Sequence, residues 1–248
     1  MFRIVLMFII FGFPISAQAN ENKLSMEITT DFVTEYVFRG VTLAGEAIQP
    51  SVSITYDGFT IGAWGSVPLG EEAETFPEEI NLFAYKSWDF GDSIDFRAGG
   101  TIFHFPQSGK LFDFDNNLAN TIEAFVGLDF DLPFNPGVTS YYDFDLDRFT
   151  AELDFGHVFT IAEFLYVEPG LTLGLSDAND NLDYQWGTSF LEIGADVGNS
   201  ASIYARVSYA VSTADTFADT SFDLSNPDTL ELPDNSSNWF GIGVSARF

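Results

Sequence analysis

The chain ends in the stretch NWFGIGVSARF, residues 238–248, in which large apolar residues alternate with small or polar ones. One parity holds Phe240, Ile242, Val244, Ala246 and Phe248. Because successive side chains of a strand point to opposite faces, this alternation predicts a β-strand with one apolar and one polar face. Such a strand could belong to a soluble sheet or to a sheet with one face in a lipid bilayer. The rest of the sequence distinguishes these two possibilities.

The other end of the chain has the layout of a secretory signal peptide. Arg3 precedes an apolar run over residues 4–13, and Pro14 and the small-residue site Ala17-Gln18-Ala19 follow. The run is shorter than the roughly 20 apolar residues that a membrane-spanning helix needs. The sequence therefore predicts a signal peptide over residues 1–19 and an exported mature chain, residues 20–248.

Composition limits the classes of partner. The chain has 37 acidic and 9 basic residues, for a net charge of −28, so no nucleic acid partner is expected. It contains no cysteine, which excludes a disulfide-stapled scaffold. The 28 phenylalanines beside this charge suit a protein with an aromatic outside and a polar inside.

About twelve segments of roughly ten residues alternate in polarity, and Gly, Pro, Asn or Asp bounds each one. No apolar run after the leader reaches the length of a membrane-spanning helix. The pattern predicts an all-β fold, a transmembrane antiparallel up-and-down β-barrel of about 12 strands, with a ten- or fourteen-strand barrel and a soluble sandwich as alternatives. The predicted strands are 26–38, 47–56, 59–67, 79–87, 93–104, 119–130, 137–146, 149–160, 164–174, 186–197, 201–211 and 239–248.

The connections between these segments sort by parity. The even-numbered ones are short, as at Asp57-Gly58, whereas most odd-numbered ones are long, as over residues 212–238. Outer-membrane barrels have short periplasmic turns and longer extracellular loops. We therefore expect both termini on the periplasmic side.

The stretch TTDFVTEYVFRGVTLAGEAIQPSVSITYDGFTIGAWGS, residues 29–66, resembles the opening of the TorF-type family of proteobacterial porins. The stretches EEINLFAYKSWDF, FRAGGTIFHFP and TIEAFVGLDF extend the resemblance to Phe130. FHFP and Ala44-Gly45-Glu46 depart from the family pattern at the extracellular end. The resemblance implies an outer-membrane barrel in the porin class, and no catalytic motif accompanies it.

Parity also predicts which side chains face lipid. Tyr36, Phe38, Trp88 and Tyr209 are candidates for the aromatic girdles at the membrane interfaces. Lys86 is the one outward charge, near a strand end. The other predicted outward residues are Ile80, Leu82, Phe96, Ile102, Ile122, Val126, Leu153, Phe155, Leu171, Leu173, Leu191, Ile193, Ile203 and Val207.

Nearly every other strand charge falls on the inward face, as the cost of a charge in lipid requires. Carboxylates from three consecutive strands predict an acidic wall at mid-depth, and unpaired carboxylates favour water inside. We expect a diffusion channel for small solutes with a preference for cations, although paired charges could instead close the lumen. The predicted pore-lining residues are Arg97, Glu123, Asp143, Asp145, Glu152, Asp154, Glu192 and Arg206.

The sequence does not favour an enzyme, and the paired lumen carboxylates are the one feature that leaves acid–base chemistry open. The two histidines, His104 and His157, fall in the outward phase near strand ends, and no nucleophile, zinc or nucleotide-binding motif occurs. No cofactor and no metal ligand set is expected, since the acidic loops lack EF-hand spacing. The alternatives to a channel are a non-conducting structural or adhesive barrel that presents acidic extracellular loops, and a lumen enzyme.

The terminal aromatic residue resembles the signal by which outer-membrane proteins reach their assembly machinery. This resemblance assigns a targeting role to Phe240, Ile242, Val244 and Phe248 and places the protein in the cell outer membrane. The expected partners are outer-membrane lipids and lipopolysaccharide, the barrel assembly machinery and small solutes.

Overall fold

A computed structural model describes residues 24–70, 77–91, 93–114, 120–178, 183–217 and 234–248. The predicted signal peptide and its boundary at Asn20 lie outside these residues. No helix in the described part of the chain is long and apolar enough to cross a membrane. The described strands are β1 (Ser25–Val33), β2 (Tyr36–Phe38), β3 (Val41–Ala44), β4 (Ala47–Tyr56), β5 (Phe59–Pro68), β6 (Glu79–Asp89), β7 (Ile94–His104), β8 (Asn120–Phe130), β9 (Gly137–Asp143), β10 (Arg148–Gly156), β11 (Phe159–Ala162), β12 (Leu165–Ala178), β13 (Tyr184–Val197), β14 (Ala201–Ser212) and β15 (Ser236–Arg247).

Twelve of these strands form one closed antiparallel barrel. The other three, β2, β3 and β11, are not among the twelve. Each ring strand pairs with the next ring strand along the chain, so that β1 pairs with β4 and β10 pairs with β12. The ring closes where β1 pairs with β15, for example at Ile28 opposite Ala246. The predicted fold class and strand number are confirmed.

The main difference from the predicted strands is at the first one. Residues 26–38 were expected to form a single strand, but β1 ends at Val33 and a separate hairpin, β2–β3, begins at Tyr36. The seventh predicted strand is also too long, because β9 ends at Asp143 and the chain turns there. The eighth is interrupted after Gly156, where β10 gives way to the short β11.

The connections differ between the two ends of the barrel. One end, here the turn end, carries the start of β1, the end of β15 and short links such as Asp57-Gly58 and residues 198–200. The other, the loop end, carries residues 34–46 and the described parts, 213–217 and 234–235, of the link between β14 and β15. This matches the predicted sorting of connections. Which end faces the cell exterior stays a prediction.

The outer face of the barrel is apolar, as predicted. The strand residues assigned to lipid are exposed or half-buried, with Val126, Ile193 and Val207 about half exposed at 50%, 50% and 53%. Trp88 and Tyr209 are also outside, and the Trp88 ring stacks on Phe96.

Aromatic side chains also lie inside the barrel, where the sequence predicted a polar interior. Tyr85, Phe125 and Tyr141 are buried and form a row across β6, β8 and β9, with successive ring centroids 6.1 and 5.9 Å apart. Trp186 on β13 covers Gly174 on β12, where any Cβ atom would collide with the indole ring. Lumen glycines thus leave room for rings that lie flat on the wall.

Candidate lumen site

The β2–β3 hairpin belongs to the first long connection and folds into the barrel at the loop end. Its two-residue turn consists of Arg39 and Gly40, whose φ angles are 50° and 72°. Positive φ at both central residues is typical of a tight type I′ hairpin, and glycine adopts it without steric cost. The turn therefore places Arg39 at the tip of the hairpin.

Arg39 reaches the opposite wall of the barrel. Its two terminal nitrogens donate hydrogen bonds of 2.6 and 2.9 Å to the carboxylate of Glu123 on β8. Its Nε lies 3.8 Å from Glu152 on β10. Because β8 and β10 stand across the ring from β1, this contact joins the hairpin to the far side of the lumen.

Two aromatic rings complete the surroundings of this guanidinium. Its carbon lies 4.0 Å from the centroid of the Tyr141 ring and 4.7 Å from that of Phe38. Burial alone would lower the pKa of Arg39, but the attraction of Glu123 and Glu152 outweighs that effect and raises the pKa above its ordinary value. Arg39 therefore remains a cation at this position.

Further contacts hold the hairpin against the wall. The Tyr36 hydroxyl donates to the buried carboxylate of Glu79 on β6, at 3.1 Å, and its ring lies against Trp64. The Phe38 ring packs against Phe103 on β7. Tyr36 and Phe38 were predicted as girdle residues facing lipid, and this prediction is wrong, because the strand that would have placed them outside ends before them.

The last long connection supports the hairpin from the other side. The Thr42 amide donates to the carbonyl of Thr216, and the Thr216 hydroxyl donates to the carbonyl of Gly40. Val37 joins Phe217 and Trp239 in a buried apolar cluster. The hairpin is therefore held by contacts with β5, β6, β7, β15 and the connection after β14.

Three other ion pairs each link two neighbouring strands of the barrel wall. They are Arg97 with Asp129, Arg206 with Glu192, and Arg247 with Glu27, at 2.5, 2.6 and 3.1 Å. In each pair both partners lie on adjacent barrel strands. These pairs confirm that the inward charges share one face, and they neutralise part of the lumen.

Several interior carboxylates accept hydrogen bonds only from neutral groups, and one has no hydrogen-bond partner. Glu79 accepts from Tyr36 and Asn81, and Asp154 accepts from the Thr172 hydroxyl. Asp31 accepts from the Tyr204 hydroxyl. Both oxygens of Glu168 are buried without a hydrogen-bond partner. Within the described residues, the lumen thus carries more carboxylates than guanidiniums.

The predicted acidic wall is only partly assembled. Glu123 and Glu152 come together around Arg39, and Asp154 lies further toward the turn end of β10. Asp143 and Asp145 instead stabilise the link between β9 and β10. The Asp143 carboxylate accepts from the Asp145 and Leu146 amides, and that of Asp145 accepts from the Ile122 amide.

This arrangement corrects the predicted depth of the wall. Glu123, Asp143 and Asp145 lie near the loop end, because β9 is shorter than expected and the chain turns directly after Asp143. Arg97, Glu192 and Arg206 are inside the barrel as predicted, each within a wall pair. That any of these residues lines a conducting path stays a prediction.

The two histidines lie at opposite ends of the barrel. His104 was expected to face lipid but is buried, with Nδ1 2.9 Å from the Asn120 side-chain oxygen. The Asn120 side chain also donates to the carbonyls of Lys110 and Asp113 in the link after β7. His157 lies between the rings of Phe134 and Phe159 at the turn end. The described residues contain no cluster of three or more ligands that could hold a metal ion.

Sequence reasoning missed Arg39, which organises the site. Its signal was the dipeptide Arg39-Gly40 between β-branched and aromatic residues, which fits a two-residue hairpin turn. The alternation of residues 26–38 continues without a visible interruption, so the break after Val33 was not recognised.

The C-terminal strand has the predicted faces. Phe240, Ile242, Val244 and Phe248 are outside, with Phe248 the most exposed of them at 67%. The backbone of Phe248 exchanges two hydrogen bonds with Met26, at 3.0 and 2.9 Å, where the barrel closes. The role of these residues in assembly stays a prediction.

Comparisons with known proteins agree with this fold. Residues 17–132 match a family model described as "Bacterial protein of unknown function (Gcw_chp)". The match lies over the region that resembles the TorF-type family, but that family name stays a prediction. No curated protein sequence matches the chain.

Solved structures of outer-membrane barrels superpose on nearly the whole chain. The NanC porin has a TM-score of 0.55 at 13% identity, covering 89% of this chain and 98% of its own. The KdgM porin, solved in complex with disordered oligogalacturonate, has 0.54 at 9%, covering 90% and 99%. The COG4313 outer membrane channel from Pseudomonas putida F1 has 0.53 at 7%, covering 93% and 97%. At these identities the similarity establishes the fold, which is that of outer-membrane porins.

Proposed function

We propose that this chain is an outer-membrane diffusion channel for small solutes that prefers cations and is constricted by the β2–β3 hairpin. The observation that carries the proposal is the excess of interior carboxylates over guanidiniums. Within the described residues, Glu79, Asp154 and Asp31 form no ion pair and accept hydrogen bonds from neutral groups instead. Their charge gives the lumen a negative potential, which low-dielectric walls concentrate.

The construction of the barrel supports passage of solutes. Twelve strands enclose more space than the eight whose interior side chains just fill. Several interior carboxylates lack an ionic partner, and water in the lumen would lower the cost of keeping them there. The similar solved structures are named as porins or as a channel. We accordingly infer a transport role rather than an enzymatic one, and a location in the outer membrane after export.

A second candidate function is a non-conducting structural barrel. It is favoured by the hairpin, which stands in the loop end, and by the buried aromatic row of Tyr85, Phe125 and Tyr141. In that case the acidic loops would be the functional surface, and lipopolysaccharide and lipid would surround them. Conductance separates the two candidates, because only the channel carries current across a planar bilayer.

Neutralising single lumen carboxylates tests the charge argument. Asp154→Asn should move the reversal potential in a KCl gradient toward zero, because it removes from the lumen a negative charge that has no ion-pair partner. Asp131→Asn is the matched control, since Asp131 is an exposed carboxylate in a turn outside the lumen. An equal shift in the control, or anion preference in the unmodified protein, would contradict the proposal.

A further inference from the structure

Arg39 differs from the other interior arginines that pair with carboxylates. Arg97, Arg206 and Arg247 join adjacent strands of the wall and so are part of its construction. Arg39 comes from a hairpin outside the ring and crosses the lumen to its partners. The position of its guanidinium therefore resembles that of a bound ligand attached to the chain, rather than that of an ion pair between adjacent strands.

The surroundings of this guanidinium are those of a built cation site. Glu123 accepts two hydrogen bonds in the paired geometry that suits a planar fork, at 2.6 and 2.9 Å. Glu152 adds a second negative charge at 3.8 Å. The Tyr141 ring faces the guanidinium carbon at 4.0 Å, where cation–π attraction applies. Both acids and Tyr141 belong to the barrel wall, whereas the occupant does not.

We propose that Glu123, Glu152 and Tyr141 form a subsite for solutes that carry a guanidinium or amidinium group, and that Arg39 occupies it as a tethered competitor. The proposal rests on the proposed channel function and names the class of cation that the channel would take. A solute cation enters when the Arg39 side chain rotates away, and Arg39 returns when the solute leaves.

The contacts of the hairpin allow this exchange without a large movement. Tyr36 bonded to Glu79, Phe38 against Phe103, and Thr216 bonded to Gly40 hold the hairpin backbone independently of Arg39. Only the flexible Arg39 side chain then has to move. Such independent anchoring makes Arg39 exchangeable rather than essential to the position of the hairpin.

Charge and shape determine which solutes can replace Arg39. A neutral solute would leave Glu123 buried without compensation, which is strongly unfavourable. A planar cation restores both the charge and the two parallel hydrogen bonds, whereas an ammonium ion restores the charge only. Guanidinium-bearing solutes should therefore bind better than ammonium-bearing solutes of equal size.

Removing the tethered competitor tests the proposal. Methylguanidinium binding is measured by calorimetry on the purified, folded, full-length barrel in detergent, with methylammonium as the reference cation. Arg39→Gln should bind methylguanidinium at least about tenfold more tightly than the unmodified protein, because a tethered group competes at an effective concentration in the millimolar range or above. Arg39→Met is a second variant that keeps the apolar stem.

Two further variants define the site. Adding Glu123→Gln to Arg39→Gln should abolish the gain in binding. Arg206→Gln is the matched control, because Arg206 also contacts a carboxylate and an aromatic ring, those of Glu192 and Phe190, but joins adjacent wall strands. It should bind methylguanidinium no more tightly than the unmodified protein.

Three results would overturn the inference: no gain in folded Arg39 variants, an equal gain in Arg206→Gln, or equal affinity for methylammonium. Failure of both Arg39 variants to give the heat-modifiable folded form would also count against it, because a group required for folding cannot exchange with solute. Absence of conductance in the unmodified protein would instead refute the channel function and leave the binding result to stand alone.

Discussion

The contact between Arg39 and Glu123 should couple the stability of the hairpin to that of the barrel wall. We expect Arg39→Ala and Glu123→Ala each to destabilise the protein, and the double variant to cost less than the sum of the two. The pair shares two charge-assisted hydrogen bonds of 2.6 and 2.9 Å. Hydrogen bonds to charged groups contribute about 1.5–3 kcal/mol each, and partial desolvation offsets some of this. A coupling energy of about 2 kcal/mol follows.

The coupling is measured by a double-mutant cycle from urea unfolding of the barrel in detergent micelles, followed by tryptophan fluorescence. Arg39→Ala combined with Glu192→Ala is the control cycle, since Glu192 pairs with Arg206 instead. That cycle should be additive to within about 0.5 kcal/mol. A coupling below about 0.5 kcal/mol for Arg39 and Glu123 would refute the role of this contact.

Two further predictions concern the chain end and the hairpin turn. Deleting Phe248 should strongly lower the yield of heat-modifiable folded protein in the outer membrane, while export to the periplasm continues. The deletion removes an exposed aromatic side chain and two backbone hydrogen bonds to Met26. An unchanged folded yield would contradict this prediction. Gly40→Ala should raise single-channel conductance, because its Cβ would lie 2.5 Å from that of Trp186 and push the hairpin away from β13. Gly198→Ala is its control, with a similar φ of 70° but nothing within 4 Å, and an equal change there would show that backbone strain alone is responsible.

The twelve barrel strands could be predicted because one rule governs all of them. A lipid-facing strand needs apolar residues at every second position, and this requirement leaves the same alternation in each segment. The terminal strand shows it most clearly, and β4 falls at the predicted residues 47–56. The long and short links added a second, independent signal.

The hairpin could not be predicted in the same way. Tyr36 and Phe38 continue the parity of Phe32, so the alternation extends through a point where the chain leaves the wall. What removes them from the membrane is their set of tertiary contacts with Glu79 and Phe103. Parity carries no information about such contacts.

The interior aromatic residues were missed for a related reason. Alternation predicts which face a ring occupies only if the environment of that face is known, and the interior was assumed to be polar. Tyr85 and Trp186 are accommodated because Gly99 and Gly174 lie beside them on neighbouring strands. Which glycine lies beside which ring depends on the register between neighbouring strands. The sequence alone does not give that register, whereas the closed barrel does.

The reversal potential of the unmodified protein in a planar bilayer, under a tenfold KCl gradient, tests the central claim most directly. A negative lumen predicts stepwise conductance with K⁺ more permeant than Cl⁻, and a smaller preference at high salt, because the screening length falls from about 8 Å at 0.15 M to about 3 Å at 1 M. Conductance that favours Cl⁻, or no conductance from folded protein, would contradict the account.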